Sequence, residues 1–88
     1  MIDLKILSYH SAQRYAVRQT VISAQRVLFK EYPEVKVMIT ELKDWFTIEK
    51  YTSILAAPSL VVNEKLVCAG RFPSKQEVLG WLKCAIEG

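Results

Sequence analysis

The strongest constraint on the fold of this chain is a long helical pattern that lies between two short apolar segments. Between Ser11 and Tyr32, residues of one face recur at spacings of three and four, and they are Val17, Thr20, Val21, Ala24 and Leu28. The apolar segment 4–7 is too short for a helix, and the alternating β-branched residues of segment 35–40 are typical of a strand. Strand, helix and strand together predict a βαβ unit with parallel pairing.

Capping residues and prolines set the expected ends of the helices. Ser11 is a candidate N-cap of the long helix, and Pro33 should end that helix near Tyr32, because the residue before a proline avoids helical geometry. Asp44 can cap a short second helix that reaches about Thr52. The candidate inner residues of this second helix are Trp45, Ile48 and Tyr51.

The remainder of the chain predicts a β-hairpin followed by a final helix. Segments 59–62 and 66–69 are short apolar strands joined by a tight connection at 63–65. Ser74 and Glu77 have the spacing of a capping box, which marks the start of the final helix. The buried stripe of that helix is expected to contain Val78, Leu79, Trp81, Leu82, Ala85 and Ile86.

These elements predict an α/β fold of the order βαβ-α-ββα. Joining the two halves gives a four-stranded mixed sheet flanked by helices, and the short apolar strands favour burial on both faces. The length of 88 residues is that of one domain, so we expect residues 1–88 to form a single domain.

Composition excludes several classes of protein. Cys68 and Cys84 are too few for a disulfide scaffold, and with His10 as the one histidine they predict no metal centre and no cofactor. No apolar run approaches the ~18 residues of a membrane helix. The first residues, Met1-Ile2-Asp3-Leu4, lack the basic segment and long apolar run of a signal peptide. We therefore expect a cytoplasmic protein with reduced thiols.

Positive charge is concentrated in the first third of the chain. Residues 1–30 carry five basic residues and one acidic residue, whereas residues 31–88 carry seven basic and eight acidic residues. We interpret this region as a solvated helix face. Binding of an anion or of nucleic acid through the first helix is the alternative.

Three segments resemble the small thioredoxin-like, glutaredoxin-sized redox proteins of bacteria and archaea. They are Lys5-Ile6-Leu7, Ala56-Ala57-Pro58-Ser59-Leu60-Val61-Val62-Asn63 and Gly70-Arg71-Phe72-Pro73-Ser74. The resemblance implies a thioredoxin-like fold over nearly the whole chain. In that family a Cys-x-x-Cys motif lies where the first strand meets the first helix, but this chain has Ser11-Ala12-Gln13-Arg14 there.

The missing cysteines determine the functional interpretation. Ser11 stands in place of the attacking cysteine and Arg14 in place of the resolving cysteine. An unactivated serine stays protonated and cannot replace a thiolate in disulfide exchange. We therefore expect a redox-inactive protein with no catalytic residue at this position.

Binding is the function that the resemblance leaves in place. It implies that three loops meet at one end of the sheet and that the Ala57–Pro58 bond is cis. An extended peptide, a glutathione-like thiol or a partner protein would bind there. The predicted binding residues are Tyr9, His10, Ser11, Arg14, Ala57, Pro58, Gly70 and Arg71.

Other interpretations remain open at this point. Cys68 could serve a monothiol oxidoreductase, although a structural role for a strand cysteine is favoured. His10 and Ser11 fit a surface loop and a helix cap better than a base and a nucleophile. The adjacent Trp45 and Phe46 cannot both point inwards, so one could mark a partner or homodimer surface.

Overall fold

The architecture is known from a computed structural model, which describes residues 1–51 and 57–88 and, for Trp45, the backbone alone. The described elements alternate between strands and helices in the predicted order. They are β1 (Ile2–Leu7), α1 (Ser11–Glu31), β2 (Val37–Leu42), α2 (Trp45–Glu49), β3 (Ser59–Val62), β4 (Lys65–Ala69) and α3 (Lys75–Glu87).

The strands form a mixed sheet of the order β2-β1-β3-β4. β1 pairs parallel with β2, while β3 runs antiparallel to both β1 and β4. This confirms the predicted α/β class and the four-stranded mixed sheet. The register places Leu42, Leu7, Ser59 and Ala69 in one row across the sheet, which we call the Pro58 end because Pro58 immediately precedes that row.

Several strand boundaries differ from the sequence prediction. β1 begins two residues earlier than expected, and β2 runs two residues further along the chain than segment 35–40. Strand pairing explains these boundaries. At one end Ile2 lies opposite Val37 and its N–H donates to the carbonyl of Lys36, and at the other end Leu7 lies opposite Leu42. Val35 packs on the core without joining the ladder. The second helix ends at Glu49, before the predicted end near Thr52, and Thr52 itself lies outside the described residues.

Apolar side chains are buried on both faces of the sheet. The main cluster lies between the sheet and helices α1 and α3, and it contains Ile2, Leu4, Ile6, Val17, Val21, Ala24, Leu28, Leu60, Val62, Cys68, Val78 and Leu82. On the opposite face, Leu7 and Val61 pack with Ile48 of α2. Trp81 and Tyr51 are partly buried against these clusters, whereas the side chain of Trp45 lies outside the description.

The helix starts agree with the prediction in α3 and differ in α1. In α3, the Ser74 hydroxyl accepts from the Glu77 N–H at 3.1 Å and the Glu77 carboxylate accepts from the Ser74 N–H at 3.0 Å, so the capping box is confirmed. The predicted N-cap of α1 was wrong, because His10 occupies the cap position and Ser11 is the first helical residue. Among the described residues, no helix is long and apolar enough to cross a membrane.

Candidate functional site

The loops that the sequence singled out meet at the Pro58 end of the sheet. The turn after β1, the segment before β3 and the turn after β4 all adjoin the row that contains Leu7, Ser59 and Ala69. The N–H of Gly70 donates to the carbonyl of Pro58 at 3.0 Å and ties two of these loops together. Gly70 has a φ of 77°, a left-handed value that glycine adopts at little cost.

The segment before β3 contributes a backbone edge. The Ala57–Pro58 peptide bond is cis, Pro58 is buried and Ala57 is half-buried. Within the described part of the chain, no other residue forms a backbone hydrogen bond with Ala57. The preceding residue of the quoted segment, Ala56, lies outside the described residues.

Ser8, a fully buried residue, organises the turn between β1 and α1. Its N–H donates to the carbonyl of Leu42, which fixes the residue at the end of the sheet. Its hydroxyl accepts from the His10 N–H at 3.0 Å and donates to Gln13 Oε1 at 2.6 Å. Ser8 therefore fixes the turn that leads into α1, and the N-cap residue His10 forms no side-chain capping hydrogen bond.

Ser11 and His10 are both exposed and do not form a catalytic pair. The His10 ring lies edge-on to the Tyr9 ring, with 5.4 Å between the ring centroids. Over residues 1–51 and 57–88, no base accepts a hydrogen bond from the Ser11 hydroxyl. Because serine needs such a base to become a nucleophile, the described geometry supplies no activation for Ser11.

Arg14 is held by groups of its own chain. Its Nη1 donates to the carbonyl of Ser8 at 2.8 Å, and its Nε donates to Glu41 Oε1 at 3.2 Å. Arg18 binds the other oxygen of the same carboxylate at 2.8 Å. Only 13% of the Arg14 side chain is exposed. Glu41 therefore lies between the two arginines and supplies their anionic partner from within the chain.

Arg71 is also paired within the chain. Its guanidinium binds the Glu77 carboxylate through two hydrogen bonds of 2.8 and 2.6 Å, a geometry that favours arginine over lysine. The Arg71 hydrogen bonds, together with that from the Ser74 backbone, lower the pKa of Glu77 to about 2. The pair joins the turn after β4 to the first turn of α3, while half of the Arg71 side chain remains exposed.

The two cysteines lie in different environments and are not bonded to each other. Cys68 is 5% exposed, and its Sγ lies 3.5 Å from the carbonyl oxygen of Arg71. Burial raises the pKa of the Cys68 thiol, which keeps it protonated at neutral pH. Cys84 is exposed and lines a groove of 510 Å³ between the hairpin and α3. This groove includes Asn63 and Lys65, at the end of the sheet away from Pro58.

The structure places exposed aromatic side chains around the Pro58 end. Phe72 follows Arg71 in the turn after β4 and is 55% exposed, and Phe46 in the first turn of α2 is 81% exposed. Tyr9, in the turn after β1, is 37% exposed. The rim of the site therefore offers apolar as well as backbone contacts. In the described ranges, no group of three His, Cys, Asp or Glu side chains is arranged to hold a metal ion.

Sequence reasoning missed four residues that shape this site: Ser8, Gln13, Glu41 and Phe72. A serine at the end of an apolar strand is a weak sign of a local cap, and Phe72 between Arg71 and Pro73 is an apolar residue in a turn. Glu41 lies 27 positions from Arg14, so nothing local connects them. The parallel pairing of β1 with β2 was predicted, but only the observed register and the extension of β2 to Leu42 bring Glu41 to the start of α1.

The sheet order, the flanking helices and the proline before β3 define a thioredoxin-like fold. A family model described as a thioredoxin domain matches residues 13–83. The chain therefore belongs to the thioredoxin-domain family. No curated protein matches it.

Proposed function

We propose that this thioredoxin-domain protein is a binding module that has no dithiol chemistry and accepts an extended peptide segment at the Ala57–Pro58 edge. The observation that carries the proposal is the environment of Arg14. At the position where the family has its second cysteine, this side chain bonds to the Ser8 carbonyl and to Glu41. The position has a structural role in place of a redox role.

Two features of the Pro58 end support peptide binding. An extended ligand pairs through backbone hydrogen bonds, and the Ala57 backbone lies beside β3 without a described partner. Phe72 adds an exposed apolar surface at the neighbouring turn. Backbone pairing supplies affinity for many peptides, and a side-chain contact with Phe72 would select among them.

A titration followed by amide chemical shifts tests the proposal. The probes are an extended apolar hexapeptide, the same peptide with N-methylated backbone, and glutathione. We expect saturable shifts at residues 9–14, 57 and 70–71 with the unmodified peptide, and much weaker shifts with the N-methylated one, because methylation removes the backbone donor. A glutathione response at the same residues would show that a small thiol peptide suffices.

Two variants of matched exposure supply the control. Phe72→Ala should weaken peptide binding several-fold, whereas Phe29→Ala on α1 should leave it unchanged, since both phenylalanines are about half exposed and only Phe72 adjoins the site. Unmoved signals at residues 9–14, 57 and 70–71 with every probe would refute the binding proposal.

The monothiol alternative depends on the reactivity of Cys68. Because Cys68 is buried with a raised thiol pKa and Cys84 is exposed, we expect a chromogenic disulfide reagent to titrate one thiol per native chain. Unfolding should make the second thiol reactive. In native Cys84→Ser protein, the number of reactive thiols per chain should fall to zero. Rapid reaction of Cys68 in native Cys84→Ser protein would favour the monothiol enzyme.

A further inference from the structure

α1 carries a line of apolar side chains on the side that faces away from the sheet. Tyr15, Ile22 and Phe29 are spaced seven residues apart, so they drift by only about 20° per step around the helix. Tyr15 is 66% exposed and Phe29 is 54% exposed. Ile22 is half-buried, and none of the three belongs to either core cluster. We call these three residues the outer stripe.

Basic side chains flank the outer stripe. Arg26 and Lys30 are exposed, and neither forms an ion pair with any residue that the structure describes. The one acidic residue of α1, Glu31, is paired with Lys83 of α3. Arg18 is paired with Glu41 but remains 40% exposed. On the flank that carries Arg26 and Lys30, the stripe is therefore bordered by positive charge that the described chain does not neutralise, whereas Arg18 on the other flank is paired.

The shape of the stripe favours a helix as its occupant. A single apolar line with a seven-residue repeat is the narrow seam of paired helices, where each side chain packs between those of the facing helix. The stripe spans the 15 residues from Tyr15 to Phe29, or about 21 Å of helix. A membrane surface requires a broader apolar face. A nucleic-acid duplex is bound mainly through its phosphates, and the centre of this surface has Tyr15 and Phe29 in place of basic side chains.

The charges favour an acidic partner over a second copy of this chain. In an antiparallel pair of α1 helices centred on Ile22, Arg26 of one copy would lie opposite Arg18 of the other. This arrangement places like charges together, which disfavours the pair. An amphipathic helix with Asp or Glu beside its apolar line would instead neutralise Arg26 and Lys30 while covering Tyr15, Ile22 and Phe29.

We propose that the outer stripe of α1 is a docking surface for an acidic amphipathic helix of another protein. This surface is separate from the Pro58 end, so one domain could hold two partner segments at once. Binding requires both the apolar line and the flanking positive charge. Phe29→Ala tests the first requirement and Arg26→Glu tests the second.

The test uses a synthetic 21-residue, alanine-rich helical peptide with leucine at every seventh position and glutamate on both flanks. A second peptide has lysine in place of each glutamate, and vesicles containing anionic lipid form a third arm. We expect the acidic peptide alone to bind and to shift the amide signals around residues 15, 22, 26 and 29. Phe29→Ala and Arg26→Glu should each weaken binding at least tenfold, and added salt should weaken it further.

Control variants separate this surface from general effects. Met38→Ala truncates an apolar side chain of β2 that is 53% exposed, and Lys36→Glu reverses an exposed charge outside α1, so both should bind the acidic peptide as the parent protein does. Three outcomes would overturn the proposal. They are no binding of the acidic peptide, equal binding of the basic peptide, or binding of the vesicles in preference to the acidic peptide.

Discussion

Replacing Ser11 and Arg14 together with cysteine is expected to give the protein disulfide reductase activity. The double variant would restore two sulfurs one helical turn apart at the start of α1, where the exposed first turn favours the thiolate of the first cysteine. In an insulin-reduction assay with dithiothreitol, we expect a rate at least about tenfold above that of the parent chain, whose serine cannot act as a thiolate.

Controls must separate chemistry from changes in stability. Arg14→Cys also removes the hydrogen bonds to Ser8 and Glu41, so Ser11→Ala/Arg14→Ala serves as a matched variant that loses the same contacts and gains no sulfur. Thermal unfolding of both double variants should show equal destabilisation, while only the cysteine variant gains activity. A folded cysteine variant with background activity would contradict the assignment of this position.

The parent chain and Cys68→Ser complete the comparison. We expect both proteins to remain at background in the insulin assay, because Cys68 is buried and its thiol pKa is raised. Activity in the parent chain that disappears in Cys68→Ser would mean that the chemistry has moved to β4. That result would replace the binding module with a monothiol enzyme.

Local periodicity was sufficient to predict the order of the helices and strands. The spacing of Val17, Thr20, Val21, Ala24 and Leu28 determines which side of α1 faces the sheet; four of these five residues are buried, and Thr20 is half-buried. The Ser74 and Glu77 pair likewise marks the start of α3, because both halves of a capping box lie within four residues of sequence. These signals depend only on residues that are close together in the chain, so a single sequence is enough to detect them.

Features that depend on long-range pairing were missed. The bond between Arg14 and Glu41 exists only because β2 pairs parallel with β1 in one register, and the same pairing shifts β2 away from residues 35–40. Ser8 organises the turn before α1, which the sequence did not indicate, because its N–H donates to the Leu42 carbonyl of the paired strand. The candidate site was thus predicted as a set of loops, but the interactions within it were not.

Leu60→Ala is expected to cause a large loss of stability. Leu60 is fully buried in β3, opposite Ile6 of β1 and Cys68 of β4, in the main cluster. Truncation removes the apolar contacts and leaves a cavity in a central strand, which typically costs about 2–5 kcal/mol. In a small domain this is a large part of the free energy of unfolding, so the midpoint of urea unfolding should fall markedly.

Leu66→Ala is the matched control for this prediction. Leu66 lies on the neighbouring strand β4, pairs with Val61 and is 38% exposed, so the same truncation removes less buried surface and leaves a more open site. We expect it to cost about 1 kcal/mol. Equal losses in the two variants would show that the sheet face carrying Leu66 is covered in solution. A small loss in Leu60→Ala would contradict the placement of β3 at the centre of the core.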